Sequence, residues 1–463
     1  MIKFGTGGWR SIIADGFTKK NVQILAQALC DEMTDTDIVI GYDRRFLSDI
    51  ASYWLAEVFA GNNIKVHLID KAAPTPLIMF GVRELDTDYG LAVTASHNPA
   101  LYNGVKVFTK GGRDATEEVT NALQKRIDNG IEVKSLDYEL AKKSGLIVLY
   151  NPQNRYLDAI LDFINVDAIK NANLSILVDT MYGVSKTSLS VLLNTTRCET
   201  EIINDRHDTL FGGKLPSPES STLHKLSNLV IDSKFDMGIA TDGDADRIGI
   251  IDENGRFIHP NLLLSLIYEY LLVEKKWDGP VVRNLSTTHL LDKIARKHGQ
   301  YAVETPVGFK HITENMDKHK AIIGGESSGG LTISGHIKGK DGIFAAMLLV
   351  EMVAVTGKKI GQLVSELYRE YGDLYNKEQA YSFDQNKKNS INNLIFIEKK
   401  IPDFDNPIKS VSYLDGLKVY FDNDSWVSAR FSGTEPLLRI FAESSSQVET
   451  DNIISKMEEF LEL

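Results

Sequence analysis

From Thr18 to Tyr371 the chain alternates strand-like apolar runs with segments of helical period. Thr18–Met33 places Val22, Leu25, Ala26, Leu29 and Met33 on one helix face. Asp37–Asp43 reads as a buried strand leading into a polar turn with Arg44 and Arg45. Ser48–Ala60 reads as a helix and Ile64–Ile69 as a strand. The alternation returns in Leu174–Asp179, Ser185–Leu193 and Glu199–Asn204, and again in Asn261–Lys275, Val281–Leu285 and Leu290–Lys297. It predicts α/β units with helices on a mostly parallel sheet and ligand loops at the carboxyl ends of strands. Beyond Tyr381 the pattern becomes α+β and ends in an amphipathic helix, Gln447–Leu463. A chain of 463 residues is too long for one hydrophobic core. The expected divisions are 1–148, 149–253, 254–372 and 373–463.

Three strand-like runs end in loops that carry chemistry. Tyr89–Val93 leads to Thr94-Ala95-Ser96-His97-Asn98-Pro99. Asn98-Pro99 favours a turn, because the residue before Pro is pushed toward extended geometry, so Ser96 is expected to be exposed. A serine hydrolase is disfavoured, since the G-x-S-x-G elbow is lacking and chain neighbours rarely face each other as nucleophile and base. An ordinary solvated turn and a phosphoryl-carrying serine remain. Just beyond, Asn103-Gly104 looks like a hairpin turn into a short strand. It brings Lys106 back toward Ser96, where it can steady a phosphoryl group or act in proton transfer.

The second loop, Thr241-Asp242-Gly243-Asp244-Ala245-Asp246-Arg247, puts three carboxylates at alternate positions at a strand end. Such a cluster repels itself without a cation and offers hard oxygen ligands suited to Mg²⁺. An EF-hand fails, because Arg247 stands where that loop needs Gly. A haloacid-dehalogenase-type phosphatase also uses D-x-D after a strand, but its motif continues differently. Arg247 can touch the same phosphate as the metal. The third loop, Gly324-Gly325-Glu326-Ser327-Ser328-Gly329-Gly330, offers Glu326 and Ser328 to vicinal hydroxyls.

Two further stretches suit phosphate. Phe4-Gly-Thr-Gly-Gly-Trp-Arg10 is a glycine-rich loop ending in the planar fork of Arg10. Ser428-Ala429-Arg430-Phe431-Ser432-Gly433-Thr434-Glu435-Pro436-Leu437-Leu438-Arg439 combines hydroxyls and turn amides with Arg430 and Arg439. The net charge of −12 argues against nucleic acid and an anionic membrane as general partners. The longest apolar runs, Leu262–Val273 and Gly342–Val355, are too short to span a bilayer and read as buried helices. The amino terminus shows no signal-peptide core, and the two cysteines, Cys30 and Cys198, lack a spacing motif. A cytoplasmic location is the expectation.

These motifs, in this order and across essentially the whole chain, resemble the α-D-phosphohexomutase family of phosphoglucomutases, phosphomannomutases and phosphoglucosamine mutases. The resemblance implies a heart-shaped arrangement of three similar α/β domains with mixed sheets and a C-terminal α+β domain of the TATA-binding-protein-like type. It implies that Ser96 carries the phosphoryl group and that Asp242, Asp244 and Asp246 bind Mg²⁺ with the Ser96 phosphate. Glu326 and Ser328 would hold sugar hydroxyls. Arg430, Ser432, Gly433 and Thr434, with Arg439, would hold the non-reacting phosphate. Arg10, His97, Lys106 and Lys310 match positions near the transferring group. The implied reaction interconverts hexose 1- and 6-phosphates through a 1,6-bisphosphate that turns round between two transfers. Two departures stand out: the opening Gly-Thr-Gly-Gly-Trp, and Ser328-Gly329-Gly330 where many mannose- and glucosamine-type members have Gly-His. The second, with Gly308-Phe309-Lys310, leans toward a glucose-phosphate mutase, for which glucose 1,6-bisphosphate is the implied activator and intermediate. A bisphosphate synthase using another donor and a catalytically silent sugar-phosphate-binding protein are the alternatives. A monomer or homodimer is expected.

Overall fold

The computed structural model describes residues 2–5, 7–432 and 437–463. Among them the strands form four sheets. In the first, Lys65–Leu68, Asp37–Tyr42 and Tyr89–Val93 run parallel, and Tyr102–Thr109 returns antiparallel to Tyr89–Val93. In the second, Glu199–Ile203, Ser175–Asp179 and Met237–Thr241 are parallel and Ile248–Ile251 returns antiparallel. In the third, Ala302–Thr305, Val281–Asn284 and Ile323–Gly325 are parallel and Leu331–Ile333 returns antiparallel. The four-strand order is the same each time. Each chemistry-bearing loop occupies the same place: the reversal between the third strand and its antiparallel return. The sheets are therefore mixed, and three units built alike present three different loops.

The fourth sheet is antiparallel, Tyr375–Ser382, Leu437–Ser444, Trp426–Phe431, Leu417–Phe421 and Ile408–Ser412, with helix Gln447–Leu461 on one face. The second sheet extends through Phe257–Ile258, and the first through Ile147–Leu149, so strand pairing runs past the expected divisions at 253 and 148.

Two sequence expectations need correction. Asn103-Gly104 is not a turn but lies inside the strand Tyr102–Thr109. Asn103 Nδ2 is drawn to Phe46 O and Ser48 Oγ, which replaces the hairpin geometry its Asn-Gly pair favours. Gly104 is needed there for close approach: a Cβ would meet Trp9 O at 2.2 Å. The opening segment is not a free loop either; Phe4–Gly5 pairs with Gly8–Ile12, which joins the edge of the first sheet.

Helix Gly342–Thr356 is apolar on every side but for Glu351, which pairs with Lys275 at 2.7 Å, because it is buried from Gly342 to Val353. Asp341 caps it, accepting from the amides of Ile343 and Phe344 at 3.0 and 2.9 Å, and also takes the Tyr156 hydroxyl and His336 Nε2. One apolar cluster runs from Val39 and Phe80 of the first unit through Tyr156 and Ile239 to Leu264 and Phe344 of the third. Each such side chain contributes on the order of 1.5–3 kcal/mol by leaving water. The first three units thus share a core, which fixes their loops relative to one another. The fourth keeps a separate core of Leu417, Val427, Ile440, Ile453 and Met457.

Candidate active site

The shared core brings the first two loops into contact. Ser96 Oγ donates to Asp242 Oδ2 at 2.8 Å, and Gly243 is tight against Ser96, since a Cβ there would lie 2.8 Å from Ser96 O. Ser96 is 1% exposed, not exposed as the turn suggested. The Asp242–Arg247 loop closes over it, and a second set of contacts pulls it inward. Arg45 Nη2 donates to Ser96 O and Asn98 O at 2.6 Å each, and Nη1 to Pro99 O and Tyr102 O at 2.9 and 3.0 Å. Asp43 anchors Arg45 and accepts from the Thr94 hydroxyl at 2.6 Å. The clamp holds Ser96 in the left-handed region, φ 52°, which a serine does not favour on its own. Sequence spacing gave no sign of this role for Asp43 and Arg45, because carbonyl-binding needs the fold. Arg45→Lys, which replaces a planar fork with a point charge, should lower kcat about 10- to 100-fold and leave KM for the sugar phosphate little changed. Steady-state kinetics checks it; an unaltered kcat would remove the clamp from the account.

Around the serine stand three of the expected cations, Lys106, Arg10 and Arg247. Lys106 Nζ donates to Asp244 Oδ2 and Asp246 Oδ2 at 2.6 Å each. Thr75 Oγ1 also donates to Asp244 Oδ2, at 2.7 Å. Arg10 Nη1 donates to Asn98 Oδ1 at 2.7 Å. The Arg247 amide donates to Asp242 Oδ1, and its buried Nε has no hydrogen-bond partner among the described residues. Lys340, which the sequence reading missed, places Nζ 3.1 Å from Asp246 Oδ2. It directly precedes the Asp341 cap, and nothing in its spacing links it to the distant triad. His97 Nδ1 lies 3.3 Å from Ser96 Oγ, so the chain neighbours do face each other here. Burial, helped by Arg247 and Arg10, holds His97 well below its ordinary value and keeps the imidazole neutral.

The triad fits a divalent cation. Asp242, Asp244 and Asp246 are buried, with one ligand oxygen from each within 4.8 Å of the others. Oδ1 of Asp244 and of Asp246 lacks any hydrogen-bond partner among the described residues. Unpartnered buried carboxylate oxygens are costly unless a cation takes them. Burial, then Asp244 and Asp246, pushes Asp242 well above the usual carboxylate range. Burial also opposes charge on Asp246, but Lys106, Lys340 and Arg247 together hold it well below that range.

The third loop is braced from its own unit. Glu326 Oε1 accepts from Asn284 Nδ2 and from the Gly308 amide, both at 3.0 Å, and Ser328 is exposed. Lys310 is not drawn into the ring around Ser96; its Nζ donates to the exposed Glu117 at 2.6 Å, across to the first unit. In the fourth unit Arg430 and Arg439 are direct cross-strand partners. Like charges placed so are unfavourable without an anion. Arg430 pairs with Asp415 and Arg439 with Glu378, and the Ser432 amide donates to Leu437 O. Gly433 and Thr434 lie outside the described residues.

Four family models match the chain in order: phosphoglucomutase/phosphomannomutase α/β/α domain I over residues 1–134, domain II over 154–255, domain III over 259–371 and the C-terminal domain over 394–460. The chain belongs to the α-D-phosphohexomutase family. Its relatives include a phosphoglucomutase/phosphomannomutase of Thermococcus kodakarensis, 30% identical over 92% of this chain and 88% of that one. A phosphoglucosamine/phosphogalactosamine mutase of Sulfurisphaera tokodaii is 28% identical over 99% of both chains. The open form of the Paramecium phosphoglucomutase parafusin superposes with a TM-score of 0.85 at 23% identity, covering 99% of this chain and 94% of that one, which speaks for the fold. As a phosphohexomutase the chain is an intramolecular phosphotransferase, and its fold is the four-domain architecture of that family.

Proposed function

We propose that this phosphohexomutase interconverts glucose 1-phosphate and glucose 6-phosphate through phosphorylated Ser96 and glucose 1,6-bisphosphate, with Mg²⁺ at the triad. The observation that carries it is the contact of Ser96 Oγ with Asp242, beside Oδ1 of Asp244 and of Asp246 and Arg247 Nε, none of which has a hydrogen-bond partner among the described residues. Asp242, Asp244 and Asp246 would hold the metal, which when bound offsets the negative charge of the phosphoryl group. Phosphoryl transfer otherwise needs in-line positioning and charge stabilisation. Arg247 and Arg10 face the transferring oxygens. The bond from Ser96 Oγ to phosphorus breaks as the sugar hydroxyl forms its own. The sugar hydroxyl gives up its proton and Ser96 Oγ takes one up, and His97, neutral and 3.3 Å from Oγ, is placed to relay it. The return transfer uses the same groups after the bisphosphate has turned, and Arg430 with Arg439 grips whichever phosphate is not reacting.

Relatives named for glucose, mannose and glucosamine phosphates all resemble this chain. The choice of glucose therefore rests on Gly308-Phe309-Lys310 and Ser328-Gly329-Gly330. A phosphorus NMR time course with Mg²⁺ and a trace of the matching bisphosphate tests it, using glucose, mannose and glucosamine 1-phosphates in turn. Glucose should turn over fastest; preference for another sugar, or accumulation of bisphosphate in place of turnover, would contradict the reading. Arg430→Ala should raise KM for glucose 1-phosphate about 10- to 100-fold, since a hydrogen-bonded charge is lost, while leaving the half-saturating Mg²⁺ concentration alone. An unchanged KM would count against the cradle. The chain's expected cytoplasmic location and monomeric or dimeric state belong to the same proposal. Among the described residues no helix is long and apolar enough to cross a membrane.

A further inference from the structure

The fourth sheet buries one face and part of the other. One is apolar and packs on helix Gln447–Leu461. The other carries Lys418, Tyr420, Trp426, Ser428, Arg430 and Glu443, neighbours by strand register. A polar sheet face ordinarily looks to water. Here Lys418, Trp426, Ser428 and Glu443 are buried. Lys418, the Trp426 ring and Glu443 touch the third unit, while Glu443 also accepts from Asn376 and Trp426 within the fourth. Lys418 Nζ reaches Leu285 O at 2.6 Å, Glu304 Oε2 at 2.7 Å and His289 Nε2 at 3.0 Å, and sits 4.2 Å from the centre of the Trp426 ring. Burial brings Lys418 down to about 7, and in its ammonium form it donates to His289 Nε2. Burial, then Arg283 and Lys418, holds His289 down to about 4, which keeps it a neutral acceptor. Glu304 also takes Arg283 Nη1 at 2.6 Å and the Tyr420 hydroxyl, and Arg283 grips Asp292 through two nitrogens. The His289 amide donates to Glu443 Oε1 at 2.8 Å.

Such a buried charged knot adds little net stability over an apolar contact, because each desolvated ion costs several kcal/mol. Its best-attested use is to fix one arrangement out of several. The arrangement it fixes is readable. Leu285 follows Asn284, whose Nδ2 holds Glu326 Oε1. On the other side, Ser428 opposes Lys418, and Arg430 follows two residues later on the same strand and face. Arg430 meets Asp415, which accepts from the Val307 amide at 2.9 Å, next to Gly308 and its bond to Glu326. Glu326 and Arg430 are thus joined by two routes, and Lys418 is the hub of one.

We propose that Lys418 is a positioning residue that sets the separation of Glu326 and Arg430, so that a hexose phosphate is gripped at its hydroxyls and its phosphate together. It rests on the reading of Glu326 as hydroxyl holder and Arg430 as phosphate holder. The test is calorimetric titration of the full chain in the Ser96→Ala background, with glucose 6-phosphate and with inorganic phosphate. Lys418→Met should weaken glucose 6-phosphate about tenfold or more, as lost hydrogen bonds to a buried partner do, and leave inorganic phosphate unchanged. Unchanged binding of both, or equal loss of both, would overturn the positioning role. If Lys418→Met does not fold, Glu304→Gln is read by the same criterion, since it removes the charge that Lys418 pairs with on the third unit without substituting a residue of the fourth. Arg430→Ala alongside should lose both ligands. If it keeps inorganic phosphate, the cradle reading itself falls, and the positioning role with it.

Discussion

Ser96→Ala should reduce turnover by about 10⁴-fold or more, in the range seen when a nucleophile is removed, while the protein still folds. The hydroxyl is held by the Asp242 carboxylate and oriented by a loop pinned at four carbonyls, so no other hydroxyl can take its place without moving that clamp. Thr94, the nearest hydroxyl in sequence, is committed on both sides: it donates to Asp43 and accepts from the Ser96 amide. The substitution removes the hydrogen bonds of Oγ to Asp242 and His97, about 1 kcal/mol each, so the melting temperature should shift modestly. Retained turnover in the variant, measured with the phosphorus NMR progress curve, would remove serine from the mechanism.

Asp242→Asn should separate activity from stability in opposite directions. Asp242 is the triad member whose ionisation is most strongly disfavoured, by burial and then by Asp244 and Asp246. A carboxyl whose folded value lies above its unfolded one holds its proton longer in the folded state. Between the two values the folded state binds more protons, so stability falls as pH rises through that window and stays reduced above it. Asparagine is neutral throughout and can still accept from the Arg247 amide and face Ser96 Oγ. The metal-free variant should therefore melt at or above the metal-free parent at neutral pH. Its activity should fall about 10³-fold, the scale for losing a preorganised electrostatic group, and Mg²⁺ should no longer raise its melting temperature. Thermal unfolding with and without Mg²⁺ checks both halves; a lower melting temperature in the metal-free variant would contradict the charge accounting.

Local signals carried much of this. The alternation of periods located the helices, and the loops at Ser96, Asp242 and Glu326 stood out because unusual residues followed strand-like runs. Strand order did not. The antiparallel return in each of the first three sheets depends on which strands meet, and Asn103-Gly104 read as a turn because the local preference of that dipeptide is overridden by Phe46 and Ser48. The missed residues share one trait. Arg45, Lys340 and Lys418 act on carbonyls or carboxylates far away in sequence, and no spacing rule connects Lys340 to Asp246 or Lys418 to Glu304. The burial of Ser96 was illegible for the same reason, since the lid over it comes from another unit. Lys310 was assigned by resemblance to the reacting group, whereas here it is paired with Glu117.

The most direct test of the central claim is the intact mass of the protein after incubation with glucose 1,6-bisphosphate and Mg²⁺, followed by addition of glucose 6-phosphate. The account predicts a gain of one phosphoryl group, mapped to Ser96, that is discharged onto the added sugar and does not form in Ser96→Ala. No gain in mass, or a gain mapped to another residue, would contradict it.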